Sequence, residues 1–339
     1  MADLDKFVEL AKEDAADKIK HLFSENPGLF QFSDQMGQTV LHYAAGIGGP
    51  KTTEWLLSQQ NTPKDAIDTN GRSPFHIAAL NGCISVIDVL LHDKTIDLHA
   101  HDHEGFTALH LATRAGKSEV CKQLVEVETT DVNARDDEGK TALHHAVIFN
   151  QLGIAELLIT KTRIETDARD DFGETAFDKV AKSGTPEMCE VFIKDRKACA
   201  VRHDGYTPIH TASYYGNIDF LWKFVCPGNE DFYAIDCNGR TPLDEAFLGD
   251  SMKKDKVLDL FIQIYVMDGK YKECFDRCKQ YGDFGRAQSC LELYCIESRT
   301  NAIEALGSSQ LHRMSEESRG DEEFIMLSSQ GRGYLTLQG

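Results

Sequence analysis

The sequence predicts an all-α protein: a solenoid of stacked helix-turn-helix units with β-turn fingers between them, then a C-terminal helical extension and a disordered tail. Three observations predict it. A Thr or Ser recurs at Thr39, Ser73, Thr107, Thr141, Thr175, Thr207 and Thr241, in steps of 34, 34, 34, 34, 32 and 34 residues. A glycine stands two positions before each, at Gly37, Gly71, Gly105, Gly139, Gly173, Gly205 and Gly239. Apolar pairs follow at a matching spacing: Leu56-Leu57, Leu90-Leu91, Leu124-Val125, Leu158-Ile159, Phe192-Ile193 and Phe224-Val225. Units so built bury their apolar faces only against neighbours.

Within a unit the residues read in order. The first glycine suits a tight turn of positive φ. Three residues before it stands Asp34, Asp68, Asp102, Asp136, Asp170 or Asp236, whose carboxylate can accept from turn amides; the sixth copy has Arg202. The Thr or Ser is a helix N-cap, and Pro74, Pro208 and Pro242 follow at the first helical position. A second glycine ends the short helix at Gly48, Gly82, Gly116, Gly184 and Gly216, with Asn150 in its place in copy four.

The motif Ser73-Pro74-Phe75-His76-Ile77-Ala78, repeated as Thr207-Pro208-Ile209-His210-Thr211-Ala212 and varied as Thr241-Pro242-Leu243-Asp244-Glu245-Ala246, resembles that of the ankyrin-repeat family. The resemblance covers seven copies in residues 33–266. It implies that His42, His76, His110, His144 and His210 are structural hydrogen-bonding residues, not metal ligands. Asp178 and Asp244 replace this histidine in copies five and seven, which predicts looser units there.

Residues 1–32 form an N-terminal cap with two apolar stripes, Phe7, Val8, Leu10 and Ala11, then Ile19, Leu22 and Phe23. The polar run Asp250 to Lys256 is expected as a lengthened loop in the seventh repeat. Residues 267–306 form the helical extension: Tyr271, Cys274, Phe275 and Cys278 have helical spacing, as do Phe284, Ala287, Leu291, Tyr294 and Cys295. Cys274, Cys278, Cys290 and Cys295 raise zinc or disulfides, but their spacing matches no common zinc finger. They are read as buried thiols, with no metal and no cofactor. Residues 307–339 are an acidic tail too poor in apolar residues to form a core.

The chain has 339 residues and a net charge of −19. That balance argues against general binding to nucleic acid or anionic membranes. No apolar run reaches the length of a membrane span, and the start Met1-Ala2-Asp3-Leu4-Asp5 lacks a signal-peptide pattern. The ten cysteines then read as reduced thiols, and the expected compartment is the cytoplasm, with the nucleus second. No phosphate loop, nucleophile elbow, zinc-protease or kinase signature occurs, so the chain reads as no enzyme.

The resemblance implies a protein partner held on the concave face, by an adaptor or scaffold. The alternatives are a regulatory or inhibitory subunit masking an enzyme or transcription factor, or the N-terminal region of a longer enzyme or channel. At the variable positions of copies three to six stand Phe106, Arg114, Ile148, Phe149, Phe172, Tyr206, Tyr214 and Tyr215, of the types that dominate interface hot spots. Asn133, in Thr130-Asp131-Val132-Asn133, resembles the asparagine that oxygen-dependent hydroxylases modify in such repeats. In the tail, Asp321-Glu322-Glu323-Phe324-Ile325-Met326-Leu327 resembles the peptide that binds autophagy ubiquitin-like proteins, with Phe324 and Leu327 entering two pockets. Tyr334-Leu335-Thr336-Leu337 has the spacing without the acids.

Overall fold

The computed structural model describes residues 2–161, 163–193, 205–225, 228–249 and 252–306. Among these residues the fold is all-helical, with eighteen α-helices, two short 3-10 turns and no strands. The chain divides into two compact units, 1–258 and 259–339.

In the first unit, α1 (Ala2–Lys12) and α2 (Ala16–Glu25) bury Phe7, Ala11, Ile19, Leu22 and Phe23. Helix pairs follow: α3 (Val40–Ile47) with α4 (Pro50–Ser58), α5 (Pro74–Asn81) with α6 (Ile84–His92), and α7 (Ala108–Arg114) with α8 (Ser118–Glu126). Then come α9 (Ala142–Ile148) with α10 (Leu152–Ile159), α11 (Ala176–Ser183) with α12 (Pro186–Ile193), and α13 (Pro208–Tyr215) with α14 (Ile218–Phe224). The first helix of each pair packs on the first helix of the next, and α13 packs on α15 (Pro242–Leu248). Leu56, Leu90, Leu124, Leu158 and Phe192, which lead five of the six apolar pairs, are fully buried, so the core runs on from unit to unit, while Phe224, which leads the sixth, is half-buried. Helix α16 (Lys254–Met267) begins inside the predicted loop, making Lys254, Asp255 and Lys256 its first turn; Asp250 and Ser251 lie outside the described residues.

The finger turns follow from one carboxylate oxygen. Oδ1 of Asp102 accepts the N–H groups of Glu104 and Phe106, both at 2.9 Å. Asp34, Asp68, Asp136, Asp170 and Asp236 each take the same two relative positions. Arg202 lies outside the described residues. At Gly105 φ is +77°, and a Cβ there would stand 2.5 Å from the backbone nitrogen of Asp137 in the next finger. The fingertips of copies one to five are joined in succession by one backbone bond each. The N–H groups of Thr69, His103, Asp137 and Asp171 donate to the carbonyls of Met36, Asn70, Glu104 and Glu138 at 2.8, 2.9, 3.2 and 3.0 Å.

The motif histidine works with both ring nitrogens. In His110, Nδ1 accepts from the Thr107 backbone N–H at 3.2 Å and lies 2.9 Å from the Thr107 hydroxyl. Nδ1 therefore carries no proton, and Nε2–H donates to the carbonyl of Lys140, thirty residues on, at 3.1 Å. His42, His144 and His210 repeat this reach to Arg72, Glu174 and Arg240, and His76 reaches Ala100. The aspartates that replace the histidine keep its bonds to the capping Thr within their own turn. Asp178 Oδ2 accepts from the Thr175 N–H and hydroxyl at 2.9 and 3.0 Å, and Asp244 does the same for Thr241 at 2.7 and 2.9 Å. A carboxylate oxygen offers the lone pairs that Nδ1 offers, so the capping survives the exchange. Gly184 ends α11 with extended backbone, φ −68°, whereas Asn150 supplies the left-handed turn of copy four at φ +52°.

In the second unit, α17 (Tyr271–Gln280) packs against α18 (Phe284–Leu306). Asp283 caps α18 by accepting the Arg286 N–H at 3.0 Å. The Arg286 guanidinium pairs with Asp283 at 2.7 Å and Asp259 at 2.9 Å. Cys274, Cys278 and Cys290 are buried; Cys295, expected among the buried thiols, is exposed, because it sits five residues past Cys290 and so on another side of α18.

Candidate interaction surface

Short first helices place their last residues at matching points along the stack. Arg114 ends α7, Ile148 ends α9 with Phe149 as its cap, and Tyr214 and Tyr215 end α13. Ile148, Phe149, Phe172, Tyr214 and Tyr215 are exposed, Phe172 to 69%.

Phe106 departs from the expected exposure: it is only 6% accessible. Its ring lies 5.3 Å from that of His145, edge to face, and 6.1 Å from that of His110. The Arg114 guanidinium covers it at 4.3 Å and reaches the Phe149 ring at 5.4 Å. Phe106 thus supports the surface from below, and Arg114 and Phe149 present it. Cation–π contacts of this kind hold a guanidinium in place without hiding its edge. Arg114 also stands 3.7 Å from Glu104. Farther along, Tyr214 and Tyr215 meet edge to face at 5.1 Å, with the Lys182 ammonium 4.5 Å from the Tyr215 ring. Tyr206 is half-buried, stacks on the His210 ring at 4.8 Å and hydrogen-bonds Glu245.

The residue organising the centre of this surface is one that sequence reasoning missed. His145 Nε2 meets Asp136 Oδ2 at 2.7 Å, and its ring stacks on Phe149 at 6.1 Å. Burial holds its pKa below the ordinary value, although Asp136 pulls the other way. Asp136 thereby folds the finger with one oxygen and orients an aromatic platform with the other. Tyr43 and Lys179 occupy the equivalent position and meet Asp34 and Asp170 at 2.8 and 2.7 Å. Burial disfavours the Lys179 ammonium, yet its bonds to Asp170 and Glu174 raise its pKa overall. The signal was a polar residue after the motif position, where copies two and three carry Ile77 and Leu111.

Asn133 is half-buried, and its side-chain amide spans a joint. Nδ2 donates to the Arg163 carbonyl at 2.7 Å, and Oδ1 accepts the Glu165 N–H at 2.9 Å. Phe324 and Leu327 lie outside the described residues, as does the rest of 307–339.

The family described as ankyrin repeats (3 copies) matches residues 8–102 and 94–170. The chain carries ankyrin repeats. No curated protein matches it. Ankyrin repeats are generally protein–protein interaction modules, typically without catalytic activity. Among the described residues, no helix is long and apolar enough to cross a membrane.

Proposed function

We propose that this ankyrin-repeat chain is a non-enzymatic adaptor that binds a protein partner across copies three to six. The observation that carries the proposal is the exposed aromatic run anchored by Arg114 between Phe106 and Phe149 and continued by Phe172, Tyr214 and Tyr215. Rigid rings and a pre-oriented guanidinium lose little freedom on binding, which is why such residues concentrate interface energy. The bound segment would lay apolar side chains against the rings and a carboxylate against Arg114. The tail would recruit a second partner through Phe324 and Leu327, and the cytoplasm is the compartment proposed. Asn133 is the proposed hydroxylation site, and its two amide bonds make loop opening a precondition for the modification.

The test compares wild type with Phe149→Ala/Tyr214→Ala. Partners captured by the wild type are purified and titrated against both proteins. Losing hot-spot rings costs about 2 kcal/mol or more, roughly a thirtyfold weaker Kd. Equal Kd values would remove both residues from the interface. A much lower melting temperature for the variant would make them core residues instead.

A further inference from the structure

Helix α17 carries Cys274 and Cys278 one turn apart, so both sulfurs leave the same face. Cys290 of α18 faces them, with its Sγ 3.2 Å from that of Cys274. All three Sγ atoms lie within 4.8 Å of one another, and all three residues have no accessible surface. Thiolates about 2.3 Å from a shared ion stand roughly 3.8–4.0 Å apart, so small side-chain movements close the site. Among the described residues, no fourth His, Cys, Asp or Glu joins the cluster, and Cys295 is exposed.

We propose that Cys274, Cys278 and Cys290 form a three-thiolate site for one soft d10 metal ion, Cu(I) in particular. Soft sulfur ligands select Cu(I) and Zn(II) among common ions. Structural Zn(II) takes four ligands, whereas Cu(I) accepts three, the number this hairpin supplies. Binding breaks three S–H bonds, releases three protons to buffer and forms three metal–sulfur bonds, with no change in oxidation state. The bound ion would pin α17 to α18, giving the hairpin a stability that depends on metal supply.

The test is titration of the reduced full chain with Cu(I) in competition with a colorimetric Cu(I) chelator, followed by X-ray absorption of the complex. The expected result is one tightly held Cu(I) per chain with three sulfur neighbours and no light-atom ligand. Cys274→Ser, Cys278→Ser and Cys290→Ser should each weaken that binding by about tenfold or more, while Cys295→Ser leaves it unchanged. Circular dichroism of each variant confirms that the helices persist. If a variant unfolds, the wild-type stoichiometry and sulfur count still decide. No stoichiometric Cu(I), or equal affinity in the three variants, would overturn the site. So would a Cys274–Cys290 disulfide in protein purified under reducing conditions. Zn(II) bound with a fourth oxygen or nitrogen ligand, in preference to Cu(I), would overturn the metal assignment.

Discussion

Lowering the pH from 7 to 5 should weaken the repeat stack, and His110 and His144 set the size of the effect. Each ring already accepts a backbone N–H at Nδ1, so an added proton would face a donor, inside a buried joint. Burial is the main cause that pushes both pKa values from 6.5 down to about 4. The unfolded rings take up protons near pH 6.5 and the folded ones only near 4. Between these values the unfolded state binds more protons, so stability is complete above 6.5 and declines as pH falls toward 4. The whole gap amounts to ~3 kcal/mol per ring, and pH 5 removes about 2 kcal/mol of it. The carboxylates act in another window. Burial works against the ionised forms of Asp34 and Asp236, but the turn amides outweigh it and hold their pKa below 3.8. Urea unfolding of the full chain at pH 7, 6 and 5, followed by circular dichroism, measures the loss. His110→Asn should be less stable at pH 7 but lose about 2 kcal/mol less on going to pH 5. Parallel pH dependence in variant and wild type would refute the reasoning, as would a wild type equally stable at pH 7 and pH 5.

Gly105→Ala should cost about 2 kcal/mol or more, from the left-handed backbone plus the approach to Asp137, whereas Gly239→Ala meets nothing within 4 Å and should cost only ~1 kcal/mol; equal urea midpoints for the two would count against the fingertip contact. Peptides spanning Asn133 from expressing cells should show one added oxygen by mass spectrometry, and uniformly unmodified peptide would retire the site. Phe324→Ala with Leu327→Ala should abolish pull-down by an autophagy ubiquitin-like protein and leave the partner of the repeats bound; unchanged pull-down would remove the tail motif.

The stack was legible because its signals are local and repeated. A glycine at positive φ, an aspartate three residues before it and a capping Thr or Ser all act within one finger, so each copy states them again. Side chains that act between units left weaker traces. Phe106 occupies a variable position, but only the next unit's His145 and its own unit's Arg114 decide that it is covered. Asp178 looked like a lesion because the familiar residue is histidine, yet Nδ1 and a carboxylate oxygen accept the same N–H. Cys274, Cys278 and Cys290 were seen, but their convergence depends on how two helices face each other, which linear spacing does not encode.

The bond between neighbouring fingertips has a consequence for how such a chain changes length. Thr69, His103, Asp137 and Asp171 stand 34 residues apart, as do their acceptors Met36, Asn70, Glu104 and Glu138. These four joints therefore present an equivalent donor to an equivalent acceptor. An unequal crossover that adds or removes one whole period rejoins compatible faces without inventing a contact. An insertion of a few residues inside a finger displaces the donor and breaks the joint on both sides. Exchange of whole units thus keeps these bonds in register, and the surface offered to a partner lengthens by steps.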